Sequence, residues 1–228
     1  PTSVEIFEEF KTFDFILIMA TIPGQSGGKF DTINFSKIRE FRNKFPGKSI
    51  HVDGGVNAEV SFILRNMGVT SSVSGSYLFN AASIGNALMN LTKRDVESHY
   101  SVSDFMIPIN EAPHVKMGDL SFKNVLKSIE KGKLGFTVII DENGKSEGLI
   151  SNADVRRALL IHLDDLNSVS PEELLNKNPT TIEDTTTVNE MLQLIKNSKF
   201  PITYLPVVSK NGFAKGIVTF VNLIKGEL

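Results

Sequence analysis

Cysteine is absent from the 228 residues, which excludes disulfides, thiolate nucleophiles and cysteine-based metal sites and fits a reducing compartment. A cytoplasmic location is the expectation. No run approaches the roughly 18 consecutive apolar residues of a membrane span, and no basic start leads into an apolar signal segment. A large excess of charge of one sign is missing too: 24 basic and 26 acidic residues leave a net charge of −2. That balance gives no footprint for nucleic acid or for a membrane surface. An initiator methionine is lacking, since the chain opens Pro1-Thr2-Ser3, and it reads as a fragment. What is present is an apolar fraction of 41%, enough to bury one large core or two ordinary ones.

Ser3 can cap a helix whose loose apolar stripe is Val4, Ile6, Phe7, Phe10 and Phe13. The run Phe15-Ile16-Leu17-Ile18-Met19-Ala20 follows without alternation, which predicts a parallel strand buried on both faces. It ends at Pro23-Gly24-Gln25-Ser26-Gly27-Gly28. Helical patterns over 36–45 and 58–67 and short strands over 49–53 and 71–74 complete a βαβαβα series, with a further helix starting at Tyr77. In such folds ligands bind where strands end.

His51-Val52-Asp53-Gly54-Gly55-Val56-Asn57 stands at one such end. A rigid strand anchors Asp53, and glycines let the backbone approach a ligand with free N–H groups. An ordinary Asp-Gly turn is the alternative. His51 shares the Asp53 face of the strand and reads as an interior histidine.

Three ordered stretches carry a resemblance: Met19 to Phe30, Val52 to Asn57, and Val73-Ser74-Gly75-Ser76-Tyr77-Leu78-Phe79. They resemble the last three strand-loop units of ribulose-phosphate 3-epimerases, over residues 1 to about 90. The resemblance implies a TIM barrel that moves a proton next to a ketose carbonyl, with a divalent metal of the zinc, iron, manganese or cobalt type and two opposed aspartates. It implies Asp53 as catalytic acid/base and metal ligand. It further implies Gly54, Gly55, Gly75 and Ser76 as phosphate-binding amides, and Met19 as a lining residue. The other metal ligands of that family, two histidines and the opposing aspartate, come from earlier strands absent from this chain. Alone, the chain is expected to show little or no activity. Gln25, Ser26 and Ile22 depart from the family pattern in the loop that covers the sugar phosphate.

Charges in Thr92-Lys93-Arg94-Asp95-Val96-Glu97-Ser98-His99 mark a linker, so domains are expected at 1–96 and 97–228. The second part repeats itself about 70 residues on, with copies at about 101–160 and 170–228. Gly148-Leu149-Ile150-Ser151-Asn152-Ala153-Asp154 answers to Gly216-Ile217-Val218-Thr219-Phe220-Val221-Asn222. Two β-α-β-β-α copies are expected to pack face to face.

These residues resemble a tandem pair of cystathionine-β-synthase-type (CBS) domains, in particular the pair of arabinose-5-phosphate isomerases. The resemblance implies a nucleotide cleft, with Ser151 and Thr219 on phosphates, Asp154 on ribose hydroxyls and Arg157 beside them. The ligand would be AMP, ATP or a sugar nucleotide. Asn222 replaces the second aspartate and would bind ribose more weakly. A helix-capping role is the alternative for Asp154, and a solvated helix face for Arg156 and Arg157. CBS pairs also imply a homodimer.

The expected fold class is therefore α/β, three strand-helix units of a TIM barrel, followed by an α+β CBS pair. The expected function is a fragment of a sugar-phosphate 3-epimerase acting on a ketose phosphate under nucleotide control. The alternative is a non-catalytic nucleotide-sensing or scaffold protein on a degenerate barrel, in surface-carbohydrate biosynthesis.

Overall fold

A computed structural model describes residues 2–22, 27–92 and 98–222. Two compact units emerge: Pro1–Phe105 with Thr186–Thr203 and Thr219–Leu228, and Met106–Thr185 with Tyr204–Val218. No helix among the described residues is long and apolar enough to cross a membrane.

The first unit opens on a 3-10 helix, Val4–Phe10, capped by Ser3. It is shorter and tighter than the helix expected from the stripe. Val4 is buried, while Ile6, Phe10 and Phe13 are exposed, because only Phe7 finds an aromatic partner across the unit: it meets Phe41 edge-on at 5.1 Å.

Then come β1 (Phe15–Met19), α1 (Ile33–Lys44), β2 (Ser49–Asp53), α2 (Ala58–Asn66), β3 (Ser71–Val73), α3 (Ser76–Phe79) and α4 (Ile84–Thr92). The strands form one parallel sheet in the order β1-β2-β3. Ile16, Ile18, Ile50 and Val52 are buried together with Phe35, Ile38, Phe41, Val60 and Ile63 of α1 and α2.

The opposite face corrects the reading of β1 as buried on both sides. Phe15, Leu17 and Met19 are 49%, 47% and 53% exposed. Three strands with helices on one side leave the other side of the pleat uncovered, so a continuous apolar run alternates between buried and open. His51 lies on the open face, its ring stacked on Phe15 at 4.1 Å.

Lys93 to Glu97, the charged centre of the expected linker, lie outside the described residues, but the chain on either side is anchored. α5 (Val102–Phe105) and α8 (Val188–Asn197) complete the first unit. Val102 donates to Thr186 at 2.8 Å, and Asn189 donates to the Ser98 hydroxyl at 2.7 Å. Thr187 and Glu190 close a capping box at the start of α8.

The second unit holds the repeat. β4 (Ile107–Pro108), β5 (His114–Lys116), α6 (Phe122–Gly132), β6 (Phe136–Ile140), β7 (Ser146–Ser151) and α7 (Asn152–Ile161) belong to the first copy. β8 (Ile182–Glu183), β9 (Tyr204–Val208) and β10 (Ala214–Thr219) belong to the second. The sheets are β5-β6-β7 and β4-β10-β9-β8. β5 and β6 of the first copy are parallel, as are β8 and β9 of the second. β4 leaves its own copy and pairs antiparallel with β10, Ile107 opposite Ile217.

Face-to-face packing is present within this unit. Ala112, Phe136, Val138, Ile140 and Leu149 of the first copy cluster with Ala214 and Ile217 of the second. The hairpin turns also meet, with Ser146 donating to Gly212 at 2.9 Å and Ala214 to Gly144 at 3.0 Å. A separate cluster, including Val125, Ile129, Ile139, Ile150 and Val155, fills the space between the first copy's sheet and its helices.

Candidate functional site

The parallel register aligns the ends of the three N-terminal strands. Met19 stands opposite Asp53, and Asp53 opposite Val73. Asp53 is half-buried, and its carboxylate has no hydrogen-bond partner among the described residues. Its backbone carbonyl accepts the Ala20 N–H at 2.7 Å, and the Ala20 carbonyl accepts the Asp31 N–H at 2.8 Å. These bonds hold the loop after β1 against the end of β2.

Both glycines after Asp53 are required by this approach. Gly54 has φ +116°, and a Cβ there would lie 2.7 to 2.9 Å from Thr21. Gly55 has φ +66° and lies against the backbone of Lys29 and Phe30. Loop-to-loop packing thus accounts for two residues expected from phosphate binding.

Gly75 behaves differently. A Cβ on it would meet nothing within 4 Å, so open space lies beside the end of β3. Ser76 starts the four-residue helix α3, and its Cβ lies 3.8 Å from where a Cβ on Gly27 would stand. Ser74 donates to the Val56 carbonyl at 2.8 Å, tying the third loop to the second. The structure therefore brings together Met19, Asp53, Gly54, Gly55, Gly75 and Ser76 at one end of one sheet. Pro23, Gly24, Gln25 and Ser26 lie outside the described residues.

Of the ligands that the resemblance implies for a divalent metal, Asp53 is the one that this chain contains. No group of three or more His, Cys, Asp or Glu side chains among the described residues could hold a metal ion, and Asp53 alone does not make the three or four protein ligands such ions take. These residues by themselves do not fit the ion.

In the second unit Ser151 ends β7 and caps α7. Its hydroxyl accepts from the Asp154 N–H and donates to Oδ2, while Oδ2 also takes the Ser151 N–H at 2.8 Å. Arg157 occupies Oδ1. Asp154 is thus satisfied on both oxygens by its own helix turn, the arrangement of a capping box.

Sequence reasoning missed Tyr204. Its ring stacks on Phe136 at 3.9 Å, and its hydroxyl is in reach of Ser151. Burial, then the Asp154 charge, pushes the phenol above its usual range, and the Ser151 hydrogen bond offsets part of this. A tyrosine opening an apolar strand was the available signal, but nothing local tied it to Ser151, which lies in another copy.

Thr219 ends β10 and belongs to the first unit, whereas Ser151, Asp154 and Arg157 belong to the second. Asn222 donates its side-chain amide to the Asn66 carbonyl at 2.9 Å.

Residues 2–79 match the family described as the ribulose-phosphate 3 epimerase family, and residues 172–227 match the CBS domain. The cytoplasmic isoform of ribulose-phosphate 3-epimerase from Oryza sativa subsp. japonica is 34% identical over 80 residues, 35% of this chain and 35% of that protein. Arabinose 5-phosphate isomerase KdsD of Francisella tularensis subsp. tularensis is 34% identical over 128 residues, 56% of this chain and 37% of that protein. The CBS-pair protein CBSX2 from Arabidopsis thaliana superposes with a TM-score of 0.45 at 25% identity, covering 56% of this chain and 94% of that one. The chain spans well under half the length of these two curated relatives. An epimerase-type segment therefore leads the chain and a CBS domain closes it. Residues 114–161, in the order β5-α6-β6-β7-α7, lie outside that match.

Proposed function

We propose that this chain is part of a sugar-phosphate 3-epimerase in which Asp53 exchanges a proton with the carbon beside a ketose carbonyl. The register that sets Asp53 between Met19 and Val73 at the strand ends carries this reading. On one face of the substrate the Asp53 carboxylate takes the C–H proton, leaving an enediolate. An acid on the opposite face returns a proton to the same carbon and inverts it. The present residues supply one of these two groups. The space beside Gly75 accommodates the phosphate, next to the loop pinned by Ser74 and Val56.

The test is deuterium exchange. The full natural polypeptide incubated with D-ribulose 5-phosphate in D2O is expected to incorporate deuterium at C3, and Asp53→Asn to lower the rate by at least about 100-fold. No exchange by the parent on any pentulose phosphate would overturn the proposal.

We further infer that an adenine nucleotide, or a sugar nucleotide, binds the CBS pair and adjusts this activity, and that the protein is a homodimer through residues 97–228. Support comes from the Ser151, Asp154 and Tyr204 cluster in the second unit. A ribose would have to displace the Arg157 guanidinium from Oδ1, which is feasible because Arg157 is 69% exposed. Calorimetric titration with AMP and ATP should give a saturable signal that Asp154→Ala removes; flat traces for both would exclude these nucleotides.

The scaffold reading has its own support, an Asp53 carboxylate without a hydrogen-bond partner among the described residues. It predicts nucleotide binding with no exchange on any ketose phosphate.

A further inference from the structure

Helix α2 is held at both ends by residues from distant parts of the chain. Glu59, in its first turn, is 2% exposed, and glutamates so buried need partners. Its oxygens accept the His99 N–H at 2.8 and 2.9 Å and the Tyr100 N–H at 2.9 Å. The His99 Nδ1 lies 3.3 Å away. Tyr100 in turn sets its ring edge-on to Phe35 of α1, centroids 5.5 Å apart. Burial, with the Glu59 and Asp104 charges, pushes the Tyr100 phenol up.

At the far end, the Asn66 carbonyl is one that no later amide of α2 can reach, and Asn222 supplies the donor. Asn66 itself is buried, with its Oδ1 lacking a partner among the described residues. An orphaned buried acceptor costs free energy, and one ordinary hydrogen bond holds this joint.

Asn222 is the residue that answers, in the second copy, to Asp154 in the first. Asp154 closes its own capping box, whereas Asn222 reaches away from its turn to another helix. α2 begins where the Asp53 loop ends: Asn57 caps it through Val60 at 2.9 Å, and Ser61 donates to the Asn57 carbonyl at 2.8 Å. α2 therefore joins the contacts at Glu59 and Asn66 to the loop of residues 53–57 through one continuous helix.

We propose that Asn222 and Glu59 are positioning residues that fix α2, and that Asn222 anchors the turn after Thr219 to this helix instead of reading a nucleotide ribose. The functional meaning rests on the reading of Asp53 as the acid/base, but the anchor does not.

Hydrogen–deuterium exchange of the whole chain, with Asn222→Ala and Glu59→Gln, decides the matter. Asn222→Ala removes one ordinary hydrogen bond and is expected to speed exchange at residues 67–69 about fivefold. Glu59→Gln removes charge-assisted bonds and is expected to speed exchange at residues 57–61, 99 and 100 by roughly tenfold or more. The milder Asn222→Ala keeps the test open should Glu59→Gln fail to fold. Unchanged protection along α2 in the folded variants overturns the proposal, as does a tenfold loss of AMP affinity in Asn222→Ala with α2 protection intact. Exchange is read without substrate, so a failed epimerase assay leaves the result standing.

Discussion

Gly55 lies so close to Phe30 that a Cβ on it would overlap the Phe30 amide nitrogen. Backbone meets backbone here, and no side-chain rotation can relieve the clash. Gly55→Ala is expected to destabilise by roughly 3 kcal/mol, combining the left-handed φ with overpacking. Gly75→Ala, facing open space at an ordinary φ of −101°, should stay within about 0.5 kcal/mol of the parent. Urea denaturation of the two variants checks the contrast, and equal losses would contradict it.

The uncovered face of the N-terminal sheet predicts a sharp difference between adjacent residues. Ile18 is 1% exposed and Leu17 is 47% exposed. Ile18→Ala should cost about 2–5 kcal/mol, and Leu17→Ala under about 1 kcal/mol. The same denaturation midpoints measure both.

The sequence pattern located these strands and helices closely because the apolar periods and caps that define them are local. β2 runs from Ser49 to Asp53 and Ser3 caps the first helix, both as expected. Exposure of Leu17 was not legible, since an apolar run does not say how many neighbours its strand has. Nor was Glu59: an acid in a first helical turn normally faces water, and its partners His99 and Tyr100 lie forty residues on. Asp154 was legible as a motif, but only the structure shows both oxygens already taken.

Alkaline pH should weaken the fold. The Tyr204 and Tyr100 phenols sit above their ordinary value of 10.0, chiefly through burial. In the unfolded chain they ionise first, so this contribution to stability is complete below about pH 10 and falls as pH rises toward the folded values. Tyr204→Phe should flatten the stability loss above pH 10 and remove one high-pH transition from the ultraviolet titration. An unaltered titration curve would refute the assignment.

Ser151→Ala should cost about 1 kcal/mol through loss of the α7 cap. Arg157→Ala should cost under about 0.5 kcal/mol, because its guanidinium is largely in water. Thermal melts separate the two, and a larger effect from Arg157 would mean that its ion pair is less screened than its exposure implies.

Pairing of β4 with β10 makes the two copies interlocked parts. A gene cut between them would leave the first with a strand that has lost its sheet, and the second with an edge open to any passing strand. Recombination can thus move the pair whole far more readily than either copy alone.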